Sequence, residues 1–261
     1  MWIKNSGMDF GVPHRHFRVT DSTNTRAREL AARGAPGGTV VTASEQSAGR
    51  GRQGRSWTAP AGKALLYSAI LRPLDERHLL LPLTAPLAVC EAAEELEPGI
   101  ECALKWPNDV WVDERKLAGV LIEARPQDGW AVIGVGLNLV IAADEFPPDL
   151  RETAISLFDV SKEGRGKGRR SLPAVAPPTL PPTLLTATEA LNRHLNHWVE
   201  ASEEKVLASW RSRDALRGRE IAWEGGSGVA GGIDERGYLV VVTAGGERAV
   251  LGAGEVHLTR V

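Results

Sequence analysis

Residues 101–140 hold four strand-like segments, ECALKWP, DVWVD, KLAGVLIEA and WAVIGVGLNLV, separated by gaps of one, two and five residues. Their β-branched residues read as strand, and gaps this short suit hairpins rather than βαβ crossovers. This part of the chain is therefore expected to build antiparallel sheet. Earlier segments add helices to it. A helix starts at Asp21-Ser22-Thr23, capped by Asp or Ser, and runs to Gly34. Strands follow at TVVTASEQ and at 64–72, and a helix at 79–97 has Pro82 and Pro86 in its first turns. The fold class predicted is α+β, with a largely antiparallel or mixed sheet and helices against it.

After residue 160 the composition changes. Residues 161–183 combine Gly, Pro and five basic residues with few large apolar side chains, which reads as a mobile insertion. A basic nucleic-acid tail is the sharper alternative, but no aromatics are interleaved for base stacking. One helix is expected over 184–217, with Leu191, Leu195, Trp198 and Val199 on one stripe. The end of the chain alternates short strands with Gly-rich turns, the pattern of a small β-barrel packed on the main domain.

With 43% apolar and 25% charged residues the chain can bury a core, and its formal net charge of −2 gives no general attraction to nucleic acid or an anionic membrane. Cys90 and Cys102 have no metal-like spacing and read as reduced thiols. The N-terminus lacks a signal-peptide apolar region, and no apolar run approaches a membrane span. A soluble, cytoplasmic protein is expected.

The stretch AGRGRQGRSW, residues 48–57, fits two nucleotide-binding spacings. A dinucleotide turn, however, must follow a strand directly and open a long helix. Here five residues separate TVVTA from Gly49, and Pro60 and Gly62 interrupt any helix after Gly54. The P-loop pattern fails in the same context, and Arg55 stands in place of its lysine. The residues themselves offer something more direct. The glycines keep the backbone thin, and Arg50, Arg52 and Arg55 offer forked donors for phosphate or carboxylate oxygens. Trp57 offers a flat face for a ring. The alternative is a solvated Arg/Gly loop.

Downstream, Lys105-Trp106-Pro107-Asn108-Asp109 reads as a strand ending in a tight turn that presents two polar side chains. Lys116, at the start of the next strand, is placed to stabilise charge on a phosphoryl or carbonyl oxygen, or is a strand-end surface lysine. In Gly134-Val135-Gly136-Leu137-Asn138 a strand lets a ligand near its backbone.

The order Asp21-Ser22-Thr23-Asn24, Glu45 to Arg55, Lys105 to Asp109, Arg115-Lys116-Leu117-Ala118-Gly119 and Gly134 to Asn138 resembles the biotin protein ligases. Residues 231–256, from GGIDERG through GAGEV, resemble that family's C-terminal SH3-like domain. The resemblance implies a catalytic domain over 1–216, of the class II aminoacyl-tRNA synthetase/biotin ligase-like type, interrupted by 161–183, and an SH3-like domain over 217–261. It implies that biotin attacks the α-phosphorus of ATP, with Mg²⁺, giving biotinyl-5′-AMP and pyrophosphate. A lysine on a biotin carboxyl carrier domain then displaces AMP.

Carried over position by position, Ser22, Thr23, Asn24 and Gln46 lie against biotin. Gly49, Arg50, Gly51 and Arg52 line the same site, and Gly119 and Gly136 give the ring system room. Arg50, Arg52 and Arg55 serve the adenylate, with Trp57 covering the adenine side and Asn138 near the adenine. Asn108 and Asp109 face the reacting region; whether Asp109 serves metal, nucleotide or the incoming lysine stays open, and no metal ligands are assigned. Lys116 and Arg52 are the catalytic candidates. Only twenty residues precede Asp21, too few for the helix-turn-helix of relatives that also repress transcription, so no DNA binding is expected. The family includes monomers and homodimers. Lipoate–protein ligase, which shares the chemistry but not GRGRQGR, and a non-catalytic nucleic-acid module are the alternatives.

Overall fold

The computed structural model describes residues 9–157 and 183–259. The stretch 161–182, and with it all of the Gly/Pro/basic segment except Thr183, lies outside the described residues.

Strands β3 (Ala64–Leu71) and β7 (Trp130–Asn138) are buried at every position, as near-continuous apolar runs demand when both faces of a sheet are covered. They form the middle of a seven-stranded sheet of order β1-β2-β3-β7-β6-β5-β4. The other members are β1 (His14–Thr20), β2 (Val40–Gln46), β4 (Ala103–Lys105), β5 (Asp109–Val112) and β6 (Arg115–Arg125). The hairpins expected over 101–140 are present: β4 to β7 pair antiparallel in succession. The sheet is mixed because β1 runs parallel to β2, with helix α1 (Thr23–Ala32) between them in the chain. The sequence reading missed β1. Its residues, HRHFRVT, are mostly exposed and carry no apolar alternation, as suits a charged edge strand.

Because side chains alternate along a strand, β3 divides its residues between two layers. Ile70 packs with Ala27 and Ala31 of α1 on one face. Leu65, Tyr67 and Leu71 face α2 (Leu81–Leu96) on the other. The long helix expected over 184–217 is two helices, α3 (Leu184–Val199) and α4 (Glu203–Ser212). The chain leaves helical geometry near Ala201, and Ser202 caps α4 by accepting from the Lys205 amide. Leu191, Leu195, Trp198 and Val199 are buried, so the stripe is real even though the helix is shorter.

Five short strands complete the chain: β8 (Glu220–Trp223), β9 (Gly226–Ile233), β10 (Leu239–Thr243), β11 (Arg248–Leu251) and β12 (Val256–Leu258). They form an antiparallel sheet of order β11-β10-β9-β8-β12. Among the described residues no ladder joins β11 to β12, so this sheet is open where a barrel would close. Ile221, Leu239, Val241 and Val256 belong to the same buried cluster as α2. The Trp106 indole also donates to the Gly237 carbonyl at 3.1 Å, tying the two sheets together. Both cysteines are buried and free, and burial pushes the Cys90 thiol up. No helix among the described residues is long and apolar enough to cross a membrane.

Candidate active site

The register of the main sheet places Gly119 of β6 opposite Gly136 of β7, and Gly134 opposite both Leu121 and Ser68. Three glycines therefore share one region of one face, where side chains would otherwise stand. A Cβ on Gly134 would meet Asn24 Oδ1 at 2.1 Å, and one on Gly136 would meet the Trp57 ring at 2.3 Å. The bare floor is demanded by what lies over it. Above it opens a cavity of about 860 Å³, including its mouth.

One wall comes from the start of α1. Ser22 is the extended residue before the helix, and its amide donates to Asp21 at 2.7 Å. Hydrogen bonds from Arg26 hold the Asp21 carboxyl down at about 2. Thr23 donates to Gln46 Oε1 at the end of β2, from its amide at 2.7 Å and its hydroxyl at 3.0 Å. Asn24 Nδ2 donates to Glu123 of β6 at 2.8 Å, and Asn24 Oδ1 lies 2.6 Å from the Ser68 hydroxyl. Ser22, Thr23, Asn24 and Ser68 are all buried.

The opposite wall is the loop 48–57. A single 3₁₀ turn, Arg52–Gly54, is all the helix it contains, so neither nucleotide-loop spacing has structural support. The Trp57 amide donates to the Gly49 carbonyl at 2.9 Å, and the Gly51 amide to Arg55 at 2.8 Å. A Cβ on Gly49 would lie 2.2 Å from the Trp57 carbonyl oxygen, so this clasp requires glycine. The Trp57 indole lies over Gly119 and Gly136 with Lys116 Nζ 5.8 Å from its ring. Its Nε1 is buried and without a partner among the described residues.

Five cationic side chains line the cavity, Arg50, Arg52, Arg55, Lys105 and Lys116, against two carboxylates, Asp109 and Glu255. Lys116 pairs with Asp109 at 2.7 Å, Arg55 with Glu255, and Arg50 reaches Glu123 at 2.9 Å. Among the described residues, the Arg52 side chain has a hydrogen bond only to Asn108 Oδ1, at 3.5 Å. Burial lowers the pKa of both Arg52 and Lys105, with the nearby carboxylates opposing the shift. A cavity with surplus, partly desolvated positive charge suits an anionic ligand. Lys116 is fixed through its backbone, which exchanges hydrogen bonds with Thr153 and Ile155.

Of the residues named from sequence, Gly49 and Asn138 do not line the cavity. Gly49 holds the loop clasp, and the Asn138 side chain donates to the Ile155 carbonyl at 3.0 Å, bracing the segment whose backbone pairs with Lys116. The other named residues come together. Sequence reasoning assigned nothing to Lys105, Ser68, Glu123 or Glu255. Glu123 had a signal: a charged residue in an apolar strand, two steps of two from Gly119 and so on the same face. Ser68, a small hydroxyl in an otherwise apolar run, had a weaker one. Glu255 had none, since it reaches the site from the C-terminal sheet.

Comparison with known proteins matches residues 16–139 to the model of the biotin/lipoate A/B protein ligase family. A biotin–[acetyl-CoA-carboxylase] ligase of Mycobacterium tuberculosis is 35% identical over 264 residues, covering 95% of this chain and 91% of that protein. The chain belongs to this ligase family. Another ligase of the same name, from Paracoccus denitrificans, is 34% identical over 91% of this chain and 97% of its own length. Among solved structures, the biotin protein ligase of Aquifex aeolicus in complex with biotin and ATP superposes with a TM-score of 0.73 at 28% identity, covering 95% of this chain and 99% of that one. The stretch matched to the family model runs from β1 to just past β7, so it takes in the polar wall, the loop and Lys116 but not Glu255.

Proposed function

We propose that this protein is a biotin protein ligase, which activates biotin with ATP and transfers it to a lysine of a biotin carboxyl carrier domain. The observation that carries the reading is the pairing of a buried, neutral, hydrogen-bonded wall with a cationic loop across a glycine floor. Ser22, Thr23 and Gln46 offer donors and acceptors for a cyclic urea. A dithiolane ring would leave those groups without a ligand partner, which disfavours lipoate.

In the first step a biotin carboxylate oxygen bonds to the α-phosphorus of ATP, the bond to the bridging oxygen breaks, and pyrophosphate leaves. Lys116 stabilises charge on the carboxyl and phosphoryl oxygens, and Arg50 and Arg52 hold the phosphate. In the second step the carrier amine attacks the acyl carbon, the bond to AMP breaks, and the amine loses its proton. Trp57 and its loop cover the mixed anhydride between the steps and keep water from it. Among the described residues no group of three or more His, Cys, Asp or Glu could hold a metal. Mg²⁺ would arrive on the ATP phosphates and supply positive charge to the phosphoryl oxygens, with Asp109 and Glu255 the cavity carboxylates that could hold it.

The division into a catalytic domain over 1–216 and a C-terminal domain over 217–261 belongs to the same proposal. So does the SH3-like kinship of the latter, supported by five short antiparallel strands and Gly-rich turns.

Pyrophosphate exchange into ATP, measured with biotin, with lipoate and with neither, tests the reading. Exchange that requires biotin is the expected result. Exchange with lipoate alone would reassign the substrate, and none under any condition would sink the proposal.

A further inference from the structure

Leu66, Gly136, Gly119, Asp109 and Lys105 are paired in succession across β3, β7, β6, β5 and β4. Residues paired in this way share one face of a sheet. Lys105 therefore stands at the far end of the row that floors the cavity, and it lines the cavity. The Lys116 ammonium lies over the middle of the same row. A Cβ on Gly119 would come within 3.2 Å of Lys116 Nζ, and Asp109 Oδ1 is 2.7 Å from it.

Two lysines thus neighbour one carboxylate, and Lys116 takes it. Among the described residues Lys105 forms no ion pair, and its ammonium lies 5.2 Å from the centre of the Trp111 ring. Lys116 and Arg55 repel that charge, Asp109 and Glu255 attract it without touching it, and burial takes water from it. A half-buried ammonium carries three N–H donors and suits an anion.

The direction of the row says which anion. The ring pocket lies at its β3 and β7 end, beside Ser68 and Gly134, and the reacting centre at Lys116 on β6. In a displacement at phosphorus the attacking and leaving oxygens lie roughly in line. A carboxylate arriving from the β7 side therefore sends the leaving oxygen on toward β5 and β4. Strands are about 4.8 Å apart, so β4 lies about 10 Å beyond β6, within reach of two further phosphates and a lysine stem.

We propose that Lys105 holds the leaving pyrophosphate, a role in the first step distinct from that of Lys116. It donates to the β- and γ-phosphate oxygens of ATP. As the carboxylate oxygen bonds to the α-phosphorus, the bond to the bridging oxygen breaks and its electron pair passes to pyrophosphate, where the ammonium steadies the new charge. Lys105 stays protonated throughout. Lys116 serves the atoms that remain in the adenylate, and Lys105 those that depart. The proposal rests on the ligase reading.

AMP lacks the two departing phosphates, which makes the division testable. Lys105→Gln is expected to raise KM for ATP and for pyrophosphate in the exchange reaction about ten- to a hundredfold, the scale of a charge-assisted contact. Its calorimetric affinity for biotin, and for AMP in the presence of biotin, should stay within about twofold of wild type. Single-turnover transfer from purified biotinyl-AMP to a carrier domain should be unchanged. Lys105→Arg, which restores the charge, should recover most of the loss; an arginine variant as weak as the glutamine one would count against a charge contact. Equal losses toward ATP and AMP, from misfolding or from any other cause, would overturn the proposal, as would wild-type KM values or a slowed transfer step. Wild-type protein without biotin-dependent exchange would overturn the ligase reading and this proposal together. Normal exchange by wild type beside an unaffected Lys105→Gln overturns the proposal alone.

Discussion

The two walls of the cavity hold their side chains by different means. At the start of α1, Thr23, Asn24 and Ser68 are buried and joined by hydrogen bonds of 2.6–2.8 Å to one another and to Glu123. Across the floor, Arg50 and Arg55 meet carboxylates with their own side chains 42% and 60% exposed. The buried network has few alternative arrangements, since any group left unpaired would pay a desolvation cost. The exposed pairs are worth little individually and can exchange one anion for another. On the proposed function, recognition of a neutral ring falls to the rigid wall, and capture of phosphate to charges that trade partners.

Lys116→Ala should break the cationic side most severely. A fall of about 10²–10³ in the rate of biotin-dependent pyrophosphate exchange is expected, with the melting temperature nearly unchanged; unfolding instead would assign Lys116 a structural role. Arg52→Gly comes next. Loss of a charge-assisted contact to the adenylate is expected to release biotinyl-AMP about ten- to a hundredfold faster, read as labelling of lysines on unrelated proteins. Wild-type retention would remove Arg52 from that role. On the rigid wall, Gly134→Ala drives a Cβ into Asn24, and about 1–3 kcal/mol of stability should be lost along with biotin affinity. A variant that melts and binds like wild type would show the wall to be softer than described. The smallest effect is expected from Glu255→Gln, about two- to fivefold in exchange rate and vanishing in high salt, as an exposed ion pair behaves. A large, salt-independent loss would mean that Arg55 and Glu255 belong with the rigid side.

Much of this contrast could be read from sequence, and unevenly. The hairpins over 101–140 and the buried strand at 64–71 were legible from spacing and apolar runs. The arginine loop and Lys116 stood out because charge among glycines is conspicuous. The strand HRHFRVT could not be seen, because an edge position relaxes the alternation that marks a strand. The break between α3 and α4 was hidden because the apolar stripe ends before the cap at Ser202 announces a new helix. Glu123 and Ser68 were legible only to someone asking which strand residues share a face with Gly119 and Gly134. Glu255 acts through tertiary proximity alone, and nothing in GAGEV announces it.

That distance has a consequence for the chain as it is made. Glu255 pairs with Arg55 across 200 positions, and Trp106 waits 131 positions for its carbonyl partner. At a synthesis rate of about 5–20 residues per second, roughly ten to forty seconds separate the emergence of Arg55 from that of Glu255. Once Gly136 has emerged the polar wall and the glycine floor have all their residues, while the arginine loop still has nothing from the far end of the second sheet to fasten to. On the proposed function, a nascent chain therefore acquires the pocket for the ring before it acquires the catch on the loop that would shield the reactive anhydride.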